Sequence, residues 1–389
     1  MRRFLLLCTL YIVPLYILAA PDFGPFVADT ALGAGYYSAQ VPDGNWRVTM
    51  TIGSKRKAGS TTVRAESRRL MVYDAVTRKG ETVTRSFIVN KRTPAYVNAK
   101  GQETQVRLKD RERTKLDWDD KLTLEITGDN PQVERIALEP ADCPTVYLCG
   151  NSTVTDQEYE PYCSWGQMLP LFAAEDVAVA NYAESGETAE GFISRGRLAK
   201  IETLLKPGDY VFVEFGHNDQ KSDSKVGHGA FYQFQYCLKQ FTDIARAKGA
   251  TIIFCTPTRR RHFDESGHIK DTHKDYPEAI RFMGERENIP VVDLQEMTKE
   301  WFEAMGPDES KHALLHCPAG TWPGQTKRIA DDTHFSTYGA YMIARMVVNQ
   351  LIAWGNSCGA LFRTLPAYDH AEWHWNPSPR VNPEKPEGN

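Results

Sequence analysis

Between residues 145 and 294 the chain alternates short, almost wholly apolar runs with longer stretches of helical composition. The runs fall at 145–149, 177–180, 210–215, 251–255 and 291–294, and the stretches 195–205, 231–248 and 277–287 between them read as helices. A strand without polar alternation is covered on both faces, and intervening helices are what cover it. Strands separated by helices return parallel. The pattern therefore predicts a parallel sheet in a three-layer α/β/α lobe. It also predicts where chemistry sits, because such sheets hold their ligands beyond the carboxyl ends of the strands.

Upstream, from residue 22 to 140, the period changes to two. Trp46-Arg47-Val48-Thr49-Met50-Thr51-Ile52 alternates apolar and polar residues, as do Ser86-Phe87-Ile88-Val89 and Leu122-Thr123-Leu124-Glu125-Ile126. Turn residues separate these runs: Asp43-Gly44-Asn45, Lys79-Gly80, Lys100-Gly101-Gln102 and Gly128-Asp129-Asn130-Pro131. Short alternating strands with regular turns and no long helix predict an all-β sandwich of the jelly-roll kind. The switch between the two patterns falls at Ala141-Asp142-Cys143-Pro144. It divides the chain into a β-domain over 21–142 and an α/β domain over 143–365. The remainder, 366–389, is a proline-rich tail whose end is expected to be disordered, with Trp373 and Trp375 available for docking.

The first twenty residues are of another kind. Arg2 and Arg3 precede an apolar run ending at Ala19-Ala20, the pattern of a cleaved secretory signal, so the protein is expected to be exported to the periplasm or the exterior. No later stretch is apolar for long enough to span a bilayer. A formal net charge of −4 gives no general attraction for nucleic acid. Of the eight cysteines, Cys8 leaves with the signal, and the odd number remaining does not make a closed disulfide framework. No metal is expected: His312, His316 and Cys317 lie close in sequence but lack a fourth ligand at zinc spacing.

Four segments carry chemistry. Gly150-Asn151-Ser152-Thr153 follows the first strand of the α/β domain, which puts a serine at the sheet edge. Asp331 and His334 are spaced so that a carboxylate can fold back on an imidazole and fix its tautomer. The loop 181–188 can offer the Gly186 N–H, and 216–220 the Asn218 amide, as donors to a developing oxyanion. Taken singly, these are a helix cap, an acidic turn and two ordinary loops. Taken together, each beyond a strand of one sheet, they supply nucleophile, base, orienter and oxyanion donors for acyl transfer.

With these residues the chain resembles the SGNH (GDSL-type) hydrolases, and most closely the rhamnogalacturonan acetylesterases and bacterial relatives with an N-terminal, galactose-binding-like β-domain. The resemblance extends to Ser164-Trp165-Gly166-Gln167-Met168-Leu169-Pro170, to Gly216–Lys221 and to Arg260-Arg261-His262-Phe263-Asp264. It implies Ser152 as nucleophile, Gly186 and Asn218 in the oxyanion hole, and Asp331 and His334 completing a triad that needs no cofactor. It implies an acetylated plant polysaccharide or oligosaccharide as substrate. The alternatives are an acetyl xylan or other small-ester esterase, and an inactive carbohydrate-binding protein on a hydrolase fold. One departure is Asn151, where such families usually have aspartate. For substrate contacts the expectations are Arg260 and Arg261, with Arg259, gripping uronate carboxylates. Trp165 and Trp322 are expected as stacking faces, and Asn151, Asp156 and Glu184 as polar contacts beside the site.

Overall fold

The computed structural model describes residues 26–223 and 225–383; the expected signal segment and the last residues of the tail lie outside them. The five apolar runs form one parallel sheet. Its strands are β1 (Thr145–Gly150), β2 (Ala178–Asn181), β3 (Tyr210–Glu214), β4 (Thr251–Cys255) and β5 (Val291–Val292), in the order β2-β1-β3-β4-β5. The order reverses direction at β1, so the crevice between the ends of β1 and β3 is the switch point where open α/β sheets place ligands. Ser152 follows β1 directly.

Period-two placement explains why both faces are covered. Val146 and Leu148 point into one core, and Tyr147 and Cys149 point into the other. The first core is closed by the helix Thr337–Ala353, the second by helices Arg197–Leu204, Gln235–Ala247 and Tyr276–Glu287. One expectation needs correction. Leu294 does not continue β5, because Asp293 caps a new helix, Leu294–Glu309, its side chain accepting from the Glu296 N–H. That helix kinks at Gly306-Pro307.

A separate antiparallel hairpin pairs Ala95–Val97 with Glu103–Gln105, and the other N-terminal strands, all antiparallel, make two sheets, of five and three strands. Trp46, Val48, Met50 and Ile52, from the alternating run, face the core between them. The sandwich is knitted to the α/β lobe by buried arginines. Arg69 bonds Asp156 at 3.0 Å and Asp117 at 3.1 Å, and Arg68 bonds Glu160 at 2.6 Å and the carbonyl of Tyr162 at 2.9 Å. Buried pairs of this kind add little net stability, but removing one partner strands a charge. Their effect here is to fix residues 156–162, which flank the serine.

The tail docks as a strap across both lobes. Trp373 stacks on Tyr73 at 4.7 Å, and Arg64 lies 4.4 Å over the ring of Trp375. The Trp375 indole N–H and the Ser378 backbone N–H both donate to Glu160 Oε1, at 2.9 and 3.1 Å. All seven described cysteines are free thiols.

Candidate active site

Ser152 Oγ lies 2.8 Å from His334 Nε2, and His334 Nδ1 lies 2.8 Å from Asp331 Oδ2. An ionised carboxylate only accepts, so Nδ1 carries the proton and Nε2 is left to accept from the serine hydroxyl. Asp331 is held by more than the imidazole: its Oδ1 accepts from the backbone N–H of Thr333 at 2.8 Å and of His334 at 3.0 Å. Burial pushes the Asp331 carboxyl up, but these bonds and the facing imidazole outweigh it and hold it below the ordinary aspartate value.

A strand cannot by itself put residues three apart on one side, since odd separations face oppositely. The hairpin of β6 (Leu314–Cys317) and β7 (Ile329–Phe335) solves this with a bulge. Neighbouring Leu314 and Leu315 pair with Phe335 and Asp331, so residues 332–334 are extruded and Asp331 folds back on His334. Asp332 is turned to other partners, His316 Nε2 at 2.8 Å and Arg261 at 2.6 Å. The helix that follows is anchored beside the hairpin. Ser336 caps it, donating to the His312 carbonyl at 2.6 Å, and at Gly339 a Cβ would fall 1.8 Å from the Ala313 carbonyl. Only glycine fits there.

Donors gather at the ends of β1, β2 and β3. Gly186 takes the left-handed conformation at φ 71°, which turns its loop back towards the sheet. The Asn218 amide donates to the Glu187 carbonyl at 3.1 Å, which fixes its rotamer beside Gly186 and leaves its second proton unused. Asp219 braces both loops, accepting from Ala189 N at 2.8 Å and Gly216 N at 2.9 Å. The N–H groups of Ser152 and Gly186 have no hydrogen-bond partner among the described residues.

Beneath the serine lies a group that sequence reading missed. Glu214 ends apolar β3 fully buried, receiving the Trp165 indole N–H at 2.5 Å and facing the Thr153 hydroxyl at 2.6 Å. The same hydroxyl is 3.0 Å from Asn151 Oδ1. One hydroxyl proton cannot serve two acceptors. The network is satisfied when Glu214 is a neutral acid donating to Thr153, which donates on to Asn151, and burial pushes Glu214 up to about 7. A carboxylate inside an otherwise apolar strand was the signal for it.

Most expected substrate contacts are corrected. Trp165 is 0% exposed and is a core residue with its N–H spent on Glu214, so it presents no stacking face. Asn151 is equally buried, and its oxygen caps the Thr153 N–H at 3.1 Å; it shapes the serine turn and does not face substrate. Glu184 is buried against Lys115 at 2.6 Å and Arg111 at 2.7 Å. Burial opposes its ionisation, but these cations win and hold it below the ordinary glutamate value. Asp156 is spent on Arg69. In the arginine run, Arg259 pairs with Asp271 and Glu296, and Arg261 with Asp332, so neither is free for a uronate. Arg260 has no carboxylate partner among the described residues, but its guanidinium is tied to the carbonyls of Thr272 and His217, each at 3.1 Å. Trp322 lies half-buried in the loop at the tip of the β6–β7 hairpin.

The sequence profile of the GDSL-like Lipase/Acylhydrolase family matches residues 148–340, which contain Ser152, Gly186, Asn218, Asp331 and His334. Rhamnogalacturonan acetylesterase RhgT of Bacillus subtilis is 37% identical over 227 residues, covering 58% of this chain and 93% of that protein. The probable rhamnogalacturonan acetylesterase YesY of the same organism is 32% identical over 204 residues, 52% of this chain and 89% of YesY. Among solved structures, the Bacillus subtilis protein YxiM superimposes with a TM-score of 0.52 at 25% identity, covering 83% of this chain and 81% of YxiM.

Proposed function

This chain belongs to the GDSL-like lipase/acylhydrolase family and is a carboxylic ester hydrolase, and from that premise we propose that it is a serine esterase removing acetyl groups from pectic polysaccharide. The observation that carries the reading is the unbroken line of hydrogen bonds from Ser152 through His334 to Asp331, each 2.8 Å. His334 takes the Ser152 proton as Oγ attacks the acetyl carbonyl. The oxyanion is received by the N–H groups of Ser152 and Gly186 and the spare amide proton of Asn218. His334 then protonates the departing sugar oxygen, and water releases acetate from the acyl-enzyme. Support for the acetylated glycan comes from the names of RhgT and YesY. Export belongs to the same proposal, since a polysaccharide does not enter the cell and residues 1–20 have the pattern of a signal.

The test is acetate release by purified protein from acetylated rhamnogalacturonan and from acetylated xylan. A kcat/KM higher by roughly tenfold or more on the pectic polymer is expected, the scale of one charged hydrogen bond. Equal rates, or faster release from xylan, would refute the pectic assignment.

The pH profile follows from the same geometry. Asp331, held below the ordinary aspartate value, stays ionised across the neutral range. Acidification therefore protonates the imidazole first, and a protonated Nε2 cannot accept from Ser152. The expected acid limb of log kcat/KM has a slope of one. A slope of two would mean that a second group, such as Asp331, titrates with it.

A further inference from the structure

We infer that the trough between the β-sandwich, the tip of the β6–β7 hairpin and the strap is a second glycan site, which holds a uronate-bearing chain away from the reacting ester; the inference rests on the carbohydrate-esterase reading above. The trough encloses about 860 Å³, a size typical of ligand pockets. Ile126 and Pro131 of the sandwich, Trp322 and Pro323 of the hairpin loop, and Pro377 and Pro379 of the strap line it, and among the described residues no aspartate or glutamate does. Indole and pyrrolidine rings are flat apolar surfaces, and the C–H face of a pyranose is the complementary shape. The loop presenting Trp322 is set in advance. Its N–H donates to Gln325 Oε1 at 3.0 Å, and Gln325 Nε2 donates to the carbonyls of Pro318 and Lys327, both at 2.9 Å.

Charge selects the occupant. Lys327 and Arg328, in the same loop, are exposed, and neither side chain has a hydrogen-bond or ion-pair partner among the described residues. With Arg259 and Arg261 paired internally, these are the cations left to the catalytic hairpin. Lys327 and Arg328 do not line the trough but follow its wall at Pro323 four residues or more along the loop. Stacking faces with unpaired cations in the same loop suit a chain of sugar rings bearing carboxylates, whereas a neutral xylan gives the cations nothing to bind. Position connects the trough to the serine. Arg328 immediately precedes β7, which places His334 at most about 20 Å further along the strand. The strap wall also continues into the site: Glu160 N donates to the Arg380 carbonyl at 2.8 Å, Asn382 N donates to the Glu160 carbonyl at 2.9 Å, and the ring of Tyr162 stands edge-on to His334 at 6.5 Å. A glycan in the trough is thus a few sugar units from Ser152, and the sandwich contributes to substrate capture.

The experiment compares wild type, Trp322→Ala and the double variant Lys327→Ala/Arg328→Ala on acetylated oligogalacturonides of increasing length and on 4-nitrophenyl acetate. In wild type, KM should fall with chain length. Each variant should flatten that dependence, raising KM on the longest oligomers about tenfold with kcat and small-ester hydrolysis unchanged. The double variant alters only exposed side chains, so the test survives if Trp322→Ala folds poorly. Binding is measured separately by titrating Ser152→Ala protein, with and without the loop substitutions, with unacetylated oligogalacturonides. Binding weakened about tenfold by the loop substitutions supports the trough even if no glycan is ever deacetylated, in which case the esterase reading alone fails. Equal binding with and without them, or no binding at all, overturns the trough even where acetate is released.

Discussion

Replacement of Ser152 by alanine, or of His334 by alanine, is expected to lower kcat by roughly 10³-fold or more. In the proposed mechanism the serine oxygen forms the acyl bond, and the imidazole 2.8 Å from it is the base. Gln157 Nε2 reaches the serine turn, but through the Ser152 carbonyl at 2.9 Å, and so braces the turn without approaching Oγ. Because the two residues act in one proton transfer, the double variant should be little worse than either single one. Folding should survive both changes. Ser152→Ala removes a hydroxyl from an 8% exposed position without stranding a charge, and Asp331 in His334→Ala keeps the backbone N–H groups of Thr333 and residue 334. Thermal melting and kcat on a chromogenic acetate, measured together, check this. Near-full hydrolysis by well-folded Ser152→Ala would sink the nucleophile assignment.

The sheet was legible in the sequence because both of its faces are buried: the buried part of a strand, such as 252–255, has no choice but to be apolar throughout. The sheet-edge positions of Ser152, Gly186 and Asn218 were legible for a related reason, since loops at a switch point are placed by the strands before them. The errors share a different cause. Trp165, Glu184 and the run Arg259–Arg261 look functional locally, and their partners come from remote parts of the chain. Glu184 meets Lys115 from 69 residues upstream, and Arg261 meets Asp332 from 71 residues downstream. Local composition does not encode such pairs. The bulge that brings Asp331 onto His334 was hidden for the same reason, because it exists only relative to the register of β6. Asn151 illustrates the converse. Set beside Glu214, whose carboxyl burial pushes up to about 7, an amide keeps the acceptor that Thr153 needs without adding a second carboxyl to a buried network, while its own Nδ2 is buried without a hydrogen-bond partner among the described residues.

Asn218→Ala is expected to cost about 10²–10³ in kcat, the usual loss for one oxyanion donor. The amide has two N–H bonds; one is committed to the Glu187 carbonyl at 3.1 Å, and that commitment aims the other. An interaction with a ground-state carbonyl is weak and strengthens as negative charge builds on the oxygen, so the loss should fall on kcat, with KM changing little. Two donors, the N–H groups of Ser152 and Gly186, remain in the variant, which is why the loss should be smaller than for Ser152→Ala. Asn218→Asp sharpens the comparison. It preserves size but turns an acceptor towards both the Glu187 carbonyl and the developing oxyanion, so it should be at least as damaging as alanine. A merely structural asparagine would predict a lowered melting temperature with both variants and comparable losses in kcat and KM. An effect confined to KM would instead make Asn218 a substrate-binding residue, and the hole would then consist of the two backbone donors alone.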